Sequence, residues 1–552
     1  MRIAKDATYD VVIGNPPYQG LSKTDGFSYV LNTYPRGKAD LYAAFLERGL
    51  ELTKPGGVSA LVTMRGWMFL SNFDELRKHL LGTADLRVLA DLDRGAFSEI
   101  AAGPAGVSVC MSSFRRVPPE RRAVALRAFE DGDTGGVGIL ERRQAFLLAQ
   151  VGRHEFDTQG FEVIAGEPIV YWWTRDLLEK YARTPKVSER APVRQGLGSA
   201  DNGRYLRRPF ELSGVRVSRF GNEPLSFRPE DADWAPYIKG GAGRVWVEPL
   251  SDLIRWRWRG LELKLAAEAR YGSYTKRIIN EQFYFKPGVA FTKIGTSFDA
   301  RMHRYRSVID VAGSSVFPRD AVDVAKLLCL MNSPLGRFVL QSLNPTVNFQ
   351  VGDVSRLPVF SVEQADVVVD NIESAFAEHE RGCESDLAFK SPRPSPWTHA
   401  QAWAQAAVAR PEGSPLPKFT PACDPVAPET IVSWTIGVAL GRFGPSDEGV
   451  LDVAPVGALP NGILFVSSEG ADSLDHAACA PIVNAWKEHG AAVGQGDDLR
   501  TYLRTSYFAL HKRLYETRPI YFPLTSKGKN FVGLVSIHRL SLIHISEPTR
   551  PY

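Results

Sequence analysis

The chain has 552 residues, of which 44% are hydrophobic and 23% charged, as in globular proteins of roughly two to four domains. It has no apolar run of about 18 residues and no cleavable apolar start, so we expect a cytoplasmic protein that neither spans a membrane nor is secreted. Five cysteines without a Cys-x-x-Cys pair and ten histidines without a cluster argue against disulfides and a metal site.

The net charge of +4 is small, but the charge is unevenly distributed. Residues 251–310 hold twelve lysines and arginines against six aspartates and glutamates, a local excess of six positive charges. Such a region favours a polyanionic partner, and a solvated charged face is the ordinary alternative.

The first strong pattern is a short apolar run at residues 11–13. Gly14 ends this run, which predicts a buried parallel strand. The strand would deliver residues 15–18, Asn-Pro-Pro-Tyr, to the carboxyl edge of its sheet, where ligands bind in open α/β folds.

The following segments alternate between helix and strand. Residues 40–52 predict a helix stopped by the KPGG that follows, and residues 58–64 predict a second buried strand. Ser71 is expected to cap the next helix, and residues 86–92 and 107–114 predict two strands without room for an ordinary helix between them. This order predicts an α/β fold, the C-terminal half of a doubly wound, Rossmann-like sheet that ends in an antiparallel hairpin.

The pattern becomes irregular beyond residue 119. A helix is predicted around 139–151, and many short apolar runs from about 185 to 360 indicate an irregular α+β region. Residues 541–552, SLIHISEPTRPY, resemble the translation of a sequencing adapter, so we exclude them from the fold as a non-native tail. The domains predicted before this tail are 1–118, 119–184, 185–370 and 371–540.

Asn15, Pro16, Pro17 and Tyr18 form a rigid set of polar and aromatic groups. The two prolines fix the backbone and remove two donors, so the carbonyls here point outward. The side-chain oxygen of Asn15 and the carbonyl of Pro16 provide two acceptors, and Tyr18 adds a flat ring. Such a set suits a planar group that carries an NH₂, as adenine does.

The chemistry of adenine explains why these residue types would be needed. Two acceptors on its exocyclic amine would pull the nitrogen towards a tetrahedral geometry and free a lone pair that is otherwise delocalised into the ring. Tyr18 would hold the base after it leaves the duplex, since chemistry on a base requires flipping. The alternative is a proline-stiffened strand exit with a surface tyrosine.

These residues belong to a longer pattern. Together with DLYAAFLERGLELTKPGG (40–57) and VTMRGWMFLSNFDELRKHLL (62–81), they resemble the adenine-N6 DNA methyltransferases. The closer likeness is to the PglX methyltransferases of BREX phage-defence systems, which are related to type IIG restriction-modification methylases. Distal segments such as LNPTVNFQVGDVSRLPVF (343–360) extend the likeness over most of residues 8–540.

The resemblance implies a function and a role for each region. It implies transfer of a methyl group from S-adenosylmethionine to N6 of a flipped adenine in double-stranded DNA, with Asn15, Pro16 and Tyr18 holding the base. Other phage-defence proteins are further partners that it suggests. The regions it implies are a partial methyltransferase catalytic domain (1–118), a connecting region (119–184), a target-recognition and DNA-binding region (185–370) and a C-terminal α+β domain (371–540).

The resemblance also implies a site for S-adenosylmethionine, of which Asn15 forms one edge. In that family a glycine-rich loop upstream of the catalytic motif grips the cofactor, but only fourteen residues precede Asn15 here. The glycine-rich stretches AAGPAG (101–106) and KGGAGR (239–244) lie downstream, and ordinary loops are expected for both. We therefore expect a fragment cut at both ends that binds S-adenosylmethionine weakly or not at all and is inactive alone.

IRWRWRG (254–260) alternates arginine and tryptophan. If the segment is extended, its three arginines lie on one face and its two tryptophans pack inward on the other. The arginines would then meet phosphates, which positions DNA without reading its sequence. The predicted DNA-binding residues are Arg204, Arg207, Arg255, Arg257, Arg259, Lys293, Arg301 and Arg304.

Three other functions stay open at this stage. Protein glutamine methyltransferases also use Asn-Pro-Pro-Tyr, because a glutamine amide is another planar NH₂ group, although they need no large basic domain. A defence-complex component that binds DNA without modifying it would need no cofactor loop. A type IIG fusion would carry a nuclease, and these residues show no nuclease constellation, although a segment upstream of them could hold one.

Overall fold

A computed structural model describes residues 6–20, 27–94, 96–97, 107–129, 138–212, 233–241, 243–295, 297–420, 422–469 and 472–538. The chain forms two compact units. The first comprises Met1–Glu189, Phe338–Thr346 and Gly352–Val359, and the second comprises Arg190–Arg337, Val347–Val351 and Phe360–Tyr552. The segment 101–106 and the tail 541–552 lie outside the described residues, and the finer domain boundaries stay a prediction.

The first unit is built on one six-stranded mixed sheet. Its strands are β1 (Tyr9–Gly14), β2 (Thr53–Met64), β3 (Asp85–Asp93), β4 (Val109–Arg115), β5 (Arg122–Arg127) and β6 (Arg153–Asp157). Its helices are α1 (Phe27–Thr33), α2 (Leu41–Leu52), α3 (Asp74–Thr83), α4 (Ile139–Ala149) and α5 (Arg175–Arg183). The strand order is β1-β2-β4-β3-β5-β6, with β1 parallel to β2, β3 parallel to β5, and β4 antiparallel to both of its neighbours.

The α/β fold class predicted from the sequence is confirmed by this sheet. The strands and helices expected between residues 11 and 114 are all present, and β4 pairs with β3 as the predicted antiparallel neighbour. Helix α2 is present as predicted, and Ala43, Leu46 and Leu50 lie on its buried face.

The expectation that residues 11–13 are buried is wrong. The side chains of Val11 and Ile13 are 60% and 78% exposed. Among the described residues β1 pairs only with β2, so it is an edge strand, and a strand paired on one side keeps more surface. An apolar run alone does not distinguish an edge strand from a central one.

Ser71 does not cap α3 as predicted. It begins a short 3₁₀ turn, and the position before α3 is Phe73, which makes no side-chain cap hydrogen bond. The buried guanidinium of Arg77 organises the turn instead: it donates to the carbonyls of Trp67 (2.7 Å) and Leu70 (2.8 Å) and pairs with Asp74. A buried arginine side chain thus provides the hydrogen bonds at this turn, a role that the sequence pattern did not predict.

The second unit contains three small sheets and most of the helices. Its strands are β7 (Val193–Arg194), β8 (Leu206–Arg207), β9 (Trp234–Ile238), β10 (Trp246–Glu248), β11 (Asp252–Arg255), β12 (Val289–Phe291), β13 (Ala300–His303), β14 (Val308–Ile309), β15 (Ser315–Val316), β16 (Ile463–Ser467), β17 (Tyr521–Thr525) and β18 (Phe531–Ser536). The strand orders are β10-β13-β12-β15-β7, β14-β9-β11-β8 and β16-β18-β17. The short strands confirm the predicted irregular α+β character.

The remaining helices complete the two units. Those of the second unit are α7 (Asn202–Tyr205), α8 (Arg257–Tyr271), α9 (Ala321–Asn332), α12 (Ala365–Gly382), α13 (Trp397–Ala409), α14 (Pro428–Ala439), α15 (Ala480–Val493), α16 (Leu499–Thr505) and α17 (Tyr507–Leu514). Three helices have residues in both units: α6 (Val187–Arg190), α10 (Pro334–Leu343) and α11 (Val351–Ser355). None of the helices formed by described residues is long and apolar enough to cross a membrane.

IRWRWRG does not run as an extended segment, so the condition for placing its three arginines on one face is not met. Strand β11 ends at Arg255, and the next residues turn into α8. Trp256 is 2% exposed and packs against Tyr284 and Phe285 with ring centroids 5.8 Å apart in each case, whereas Trp258 is 65% exposed. The burial of Trp256 and the turn that follows it prevent the arginines from lining one face.

Candidate active site at the carboxyl edge of the first sheet

Asn15 to Tyr18 leave the sheet at its carboxyl edge. Gly14, the last residue of β1, lies opposite Leu61 of the parallel strand β2, which continues to Met64. The four residues therefore leave the sheet beside the last residues of β2. Asn15 and Pro17 are exposed, Pro16 is buried and Tyr18 is half-buried, so the segment is anchored through the first proline and the tyrosine.

A hydrogen bond joins the two ends of this segment. The hydroxyl of Tyr18 donates to Oδ1 of Asn15 at 2.8 Å and also lies 3.4 Å from the carbonyl oxygen of Val62 on β2. An amide oxygen has two lone pairs, so Oδ1 of Asn15 keeps the capacity for a second donor. No hydrogen bond within the described part of the chain reaches the carbonyl of Pro16.

The ring of Tyr18 is held by a buried neighbour. It meets the ring of Tyr42 edge-on, with centroids 6.2 Å apart and an interplanar angle of 90°. Burial raises the pKa of Tyr18 to about 12, with the Cys110 thiol adding to the shift, so the group is a neutral hydroxyl at physiological pH. A neutral hydroxyl can donate to Asn15, which a phenolate could not.

Asp40 ties the segment to helix α2. One of its carboxylate oxygens accepts from the backbone N–H of Gln19 at 3.0 Å and of Tyr42 at 3.4 Å. The carbonyl of Gln19 accepts from the N–H of Leu41 at 2.9 Å. Both backbone polar groups of Gln19, the residue after Tyr18, are therefore hydrogen-bonded to the start of α2. The sequence analysis did not single out Asp40, although an aspartate directly before an amphipathic helix is a recognisable N-cap.

A second polar cluster lies at the ends of β2 and β3. The guanidinium of Arg65 pairs with Asp91 at 2.7 Å and with Asp93 at 3.2 Å, and the hydroxyl of Tyr171 donates to Asp91 at 2.9 Å. Burial raises the pKa of Asp91, and the charge of Arg65 opposes that shift. This cluster was not predicted from the sequence, in which its signal was Asp91 and Asp93 following the apolar residues 88–90.

The described residues fit only part of a site for S-adenosylmethionine. Asn15 lies at the exposed edge where the resemblance places the methyl donor. The KGGAGR stretch, in which Ala242 lies outside the described residues, follows β9 in the second unit. A Cβ atom added at Gly240 would lie 3.0 Å from the Cβ of Ala312, and one added at Gly241 would lie 3.1 Å from the Arg244 side chain. We assign no residue other than Asn15 to the donor.

Five of the predicted DNA-binding residues lie around one small sheet of the second unit. Arg207 ends β8, which pairs with β11, and Arg255 ends β11. Arg204 and Arg255 both pair with Glu262 of α8, at 2.7 and 3.0 Å. The other two members of this group, Arg257 and Arg259, are exposed at the start of α8.

The other three predicted DNA-binding residues lie around a different sheet, in or directly after β12 and β13. Arg301 is fully buried and pairs with Glu248, and Arg304 pairs with the buried Glu380 at 2.7 Å. Lys293 is half-buried. The burial of Arg301 and the pairing of Arg304 argue against contact with a phosphate, since each guanidinium already faces a buried carboxylate.

Residues 1–97, which carry the edge site, match the model of the Eco57I restriction-modification methylase family. This part of the chain is therefore similar to the methylases of restriction-modification systems. Similarity to two curated proteins, whose names state their specificity, extends over about two thirds of the chain.

The chain is 28% identical over 400 residues to the adenine-specific methyltransferase PglX of Lacticaseibacillus casei, covering 70% of this chain and 32% of that protein. It is 29% identical over 360 residues to the adenine-specific methyltransferase BrxX of Escherichia coli, covering 64% and 28%. The resemblance predicted from the sequence is confirmed. The chain spans about a third of the length of these relatives.

Solved structures give weaker likenesses. The DrdV–DNA complex aligns at 11% identity with a TM-score of 0.36, covering 67% of this chain and 44% of that one. The type IIG restriction endonuclease BpuSI aligns at 13% identity with a TM-score of 0.28, covering 66% and 48%. Likenesses this slight carry no inference about function.

Proposed function

We propose that the chain carries the catalytic segment of a DNA methyltransferase that acts on N6 of a flipped adenine, in restriction-modification or phage defence. The observation that carries the proposal is the proline-fixed edge at Asn15–Tyr18, with its open acceptors and its held aromatic ring. The names of PglX and BrxX, which are adenine-specific methyltransferases, favour adenine over a protein glutamine as the substrate.

Asn15 would activate the amine of the base. Its Oδ1 accepts one hydrogen bond from Tyr18 and would accept a second from the N6 hydrogen of adenine, while the carbonyl of Pro16 takes the other hydrogen. Both acceptors are fixed before the base arrives, so they favour the tetrahedral amine of the transition state at little cost in reorganisation. S-adenosylmethionine, when bound, supplies the methyl group.

Tyr18 would hold the flipped base in place. Its ring is set by the edge-on contact with Tyr42, and its hydroxyl is occupied by Asn15. The ring therefore offers a face for stacking without needing to reorient. Stacking offsets part of the cost of taking a base out of the duplex.

Double-stranded DNA is the proposed partner, and the arginines around β8, β11 and α8 are the proposed phosphate contacts. Arg204 and Arg257 have side chains that are 59% and 52% exposed, so each can exchange its surface carboxylate partner for a phosphate. Arg301 and Arg304 are not included, because both pair with buried carboxylates.

The test compares chemistry with binding for Asn15→Ala, made in the protein expressed from the complete gene. We expect methyl transfer to adenine to fall by at least about 100-fold, because a fixed acceptor of the transition state is lost. The dissociation constant for duplex DNA should stay unchanged, since Asn15 belongs to the first unit and the proposed phosphate contacts belong to the second. Asn15→Ala with undiminished transfer would reject the mechanism, and a duplex affinity lost together with transfer would make Asn15 a DNA-binding residue instead.

A further inference from the structure

Trp258 is an unusually exposed aromatic side chain. It is 65% exposed, whereas Trp256, two residues earlier, is 2% exposed. Tryptophan has the largest apolar side chain, and leaving most of it in water forgoes a large gain from burial. An isolated exposed aromatic ring of this size is therefore a candidate contact for a partner.

The backbone that presents Trp258 is strained. Trp258, Arg259 and Gly260 have φ values of 53°, 56° and 74°, in the left-handed region. A left-handed conformation costs about 1 kcal/mol or more for each residue other than glycine, so two such residues in succession need support from their surroundings. Strain of this kind is often retained where it orients a functional side chain.

The support comes from the buried Trp256. The N–H of Gly260 donates to the carbonyl of Trp256 at 3.0 Å, which closes the turn. A Cβ atom at position 260 would lie 2.9 Å from the Trp256 ring, so only glycine fits there. The buried indole thus fixes the turn that holds the second indole in solvent.

Trp258 lies between two exposed arginines in the sequence, of which Arg257 also pairs with Asp233 at 3.5 Å, and the same helix carries exposed leucines. The guanidinium of Arg257 lies 4.3 Å from the Trp258 ring centroid, and Arg259 is exposed on the other side of it in sequence. Leu261 and Leu265, further along α8, are 43% and 61% exposed. An aromatic ring between two arginines matches a nucleic acid, whose bases stack on aromatic rings while its phosphates meet guanidinium groups.

We propose that Trp258 stacks on a DNA base and that the left-handed turn at 258–260 serves to present it. The inference rests on the proposed function, because it takes DNA as the partner of this surface, and it adds a base contact to the proposed phosphate contacts. Stacking needs a base that is at least partly unstacked. Because Tyr18 would hold the flipped adenine, Trp258 would meet a different base of the strands that flipping opens.

The test uses two single strands of equal length and charge: an oligodeoxyadenylate, and an oligonucleotide of the same length without bases. The unaltered protein should bind the strand with bases more tightly, and Trp258→Ala should reduce that preference by about 5- to 100-fold. Trp258→Phe should retain most of it. Leu265→Ala, which removes an exposed apolar side chain of the same helix, should leave it unchanged, and Arg257→Ala should weaken binding of both strands alike.

The outcomes separate this inference from the proposed function. If Trp258→Ala keeps the full preference, or the unaltered protein shows none, the stacking inference is overturned while methylation of duplex DNA can still be demonstrated. If the protein binds neither a strand nor a duplex, both fail. Because Trp258 is exposed, thermal unfolding of Trp258→Ala should match that of the unaltered protein.

Discussion

At Asn15 the important property is the direction of one oxygen. The Tyr18 hydroxyl lies 2.8 Å from Oδ1, so the amide is oriented by a donor that belongs to the same rigid segment. A free asparagine side chain would rotate about two bonds, and fixing it would cost entropy at the moment of reaction. The hydrogen bond from Tyr18 pays that cost during folding.

Tyr18→Phe separates the ring from the hydroxyl. We expect methyl transfer to fall by about 3- to 10-fold, the loss of one ordinary hydrogen bond, because stacking is retained and Asn15 becomes free to rotate. Tyr18→Ala removes both the ring and the hydroxyl, so the rate of methyl transfer should fall much further. Single-turnover rates at saturating DNA give the comparison, and equal rates for Tyr18→Phe and the unaltered protein would show that the hydroxyl does not position Asn15.

How much of the site the sequence predicts depends on how local its contacts are. Asn15 to Tyr18 could be predicted because four adjacent residues carry the acceptors and the ring, and the structure adds the hydrogen bond between them. The pairing of Arg65 with Asp91 and Asp93 joins two strand ends 26 and 28 residues apart in the chain. A contact of that kind depends on strand order, which a single sequence does not give.

At the scale of elements, helix α2 links the fold to the site. Its N-cap, Asp40, accepts from Tyr42 inside the helix and from Gln19 just beyond the candidate site. One side chain therefore stabilises the helix and restrains the segment that carries Tyr18.

Asp40→Ala tests this link. We expect a loss of about 1 kcal/mol in the free energy of unfolding, typical of an N-cap, together with slower methyl transfer because Gln19 is released. Asp40→Asn should preserve most of both, since its side-chain oxygen still accepts. Urea denaturation measures the free energy of unfolding and initial rates measure methyl transfer, both on Asp40→Ala, Asp40→Asn and the unaltered protein. A stability loss without any change in rate would show that the tether to Gln19 is not needed.

The predictions of local structure that were wrong have identifiable physical reasons. The presence of α2 and β2 could be predicted, because the KPGG segment marks where the helix stops and a run of apolar residues follows it. The IRWRWRG segment alternates perfectly, yet the buried indole of Trp256 and the glycine at 260 bend it into a turn. Tertiary packing overrode local alternation there.

At the scale of the whole molecule, charge distribution matters more than net charge. The net charge is +4, and the local excess of positive charge in residues 251–310 includes both exposed and buried arginines. Arg257 is exposed at the start of α8, whereas Arg301 is buried against Glu248. A count of basic residues therefore overestimates the surface that DNA can meet.

The salt dependence of duplex binding checks the proposed surface. A lost phosphate contact lowers the slope of log K against log salt by about 0.9, so Arg204→Ala and Arg257→Ala should each reduce the slope by about one. Arg175→Ala is the control, since that side chain is 90% exposed on α5 of the first unit. Unchanged slopes for both Arg204→Ala and Arg257→Ala would show that this surface does not contact DNA phosphates.

The central claim, methylation of adenine in DNA, is tested most directly by single-molecule sequencing. DNA from cells that express the complete gene would be scored for N6-methyladenine at a recurring motif, with the Asn15→Ala gene as the matched control. The proposed function predicts a motif that is methylated in the first case and unmethylated in the second. Methylation that persists with Asn15→Ala, or no methylated motif in either case, would contradict it, and the second result would favour a protein that binds DNA without modifying it.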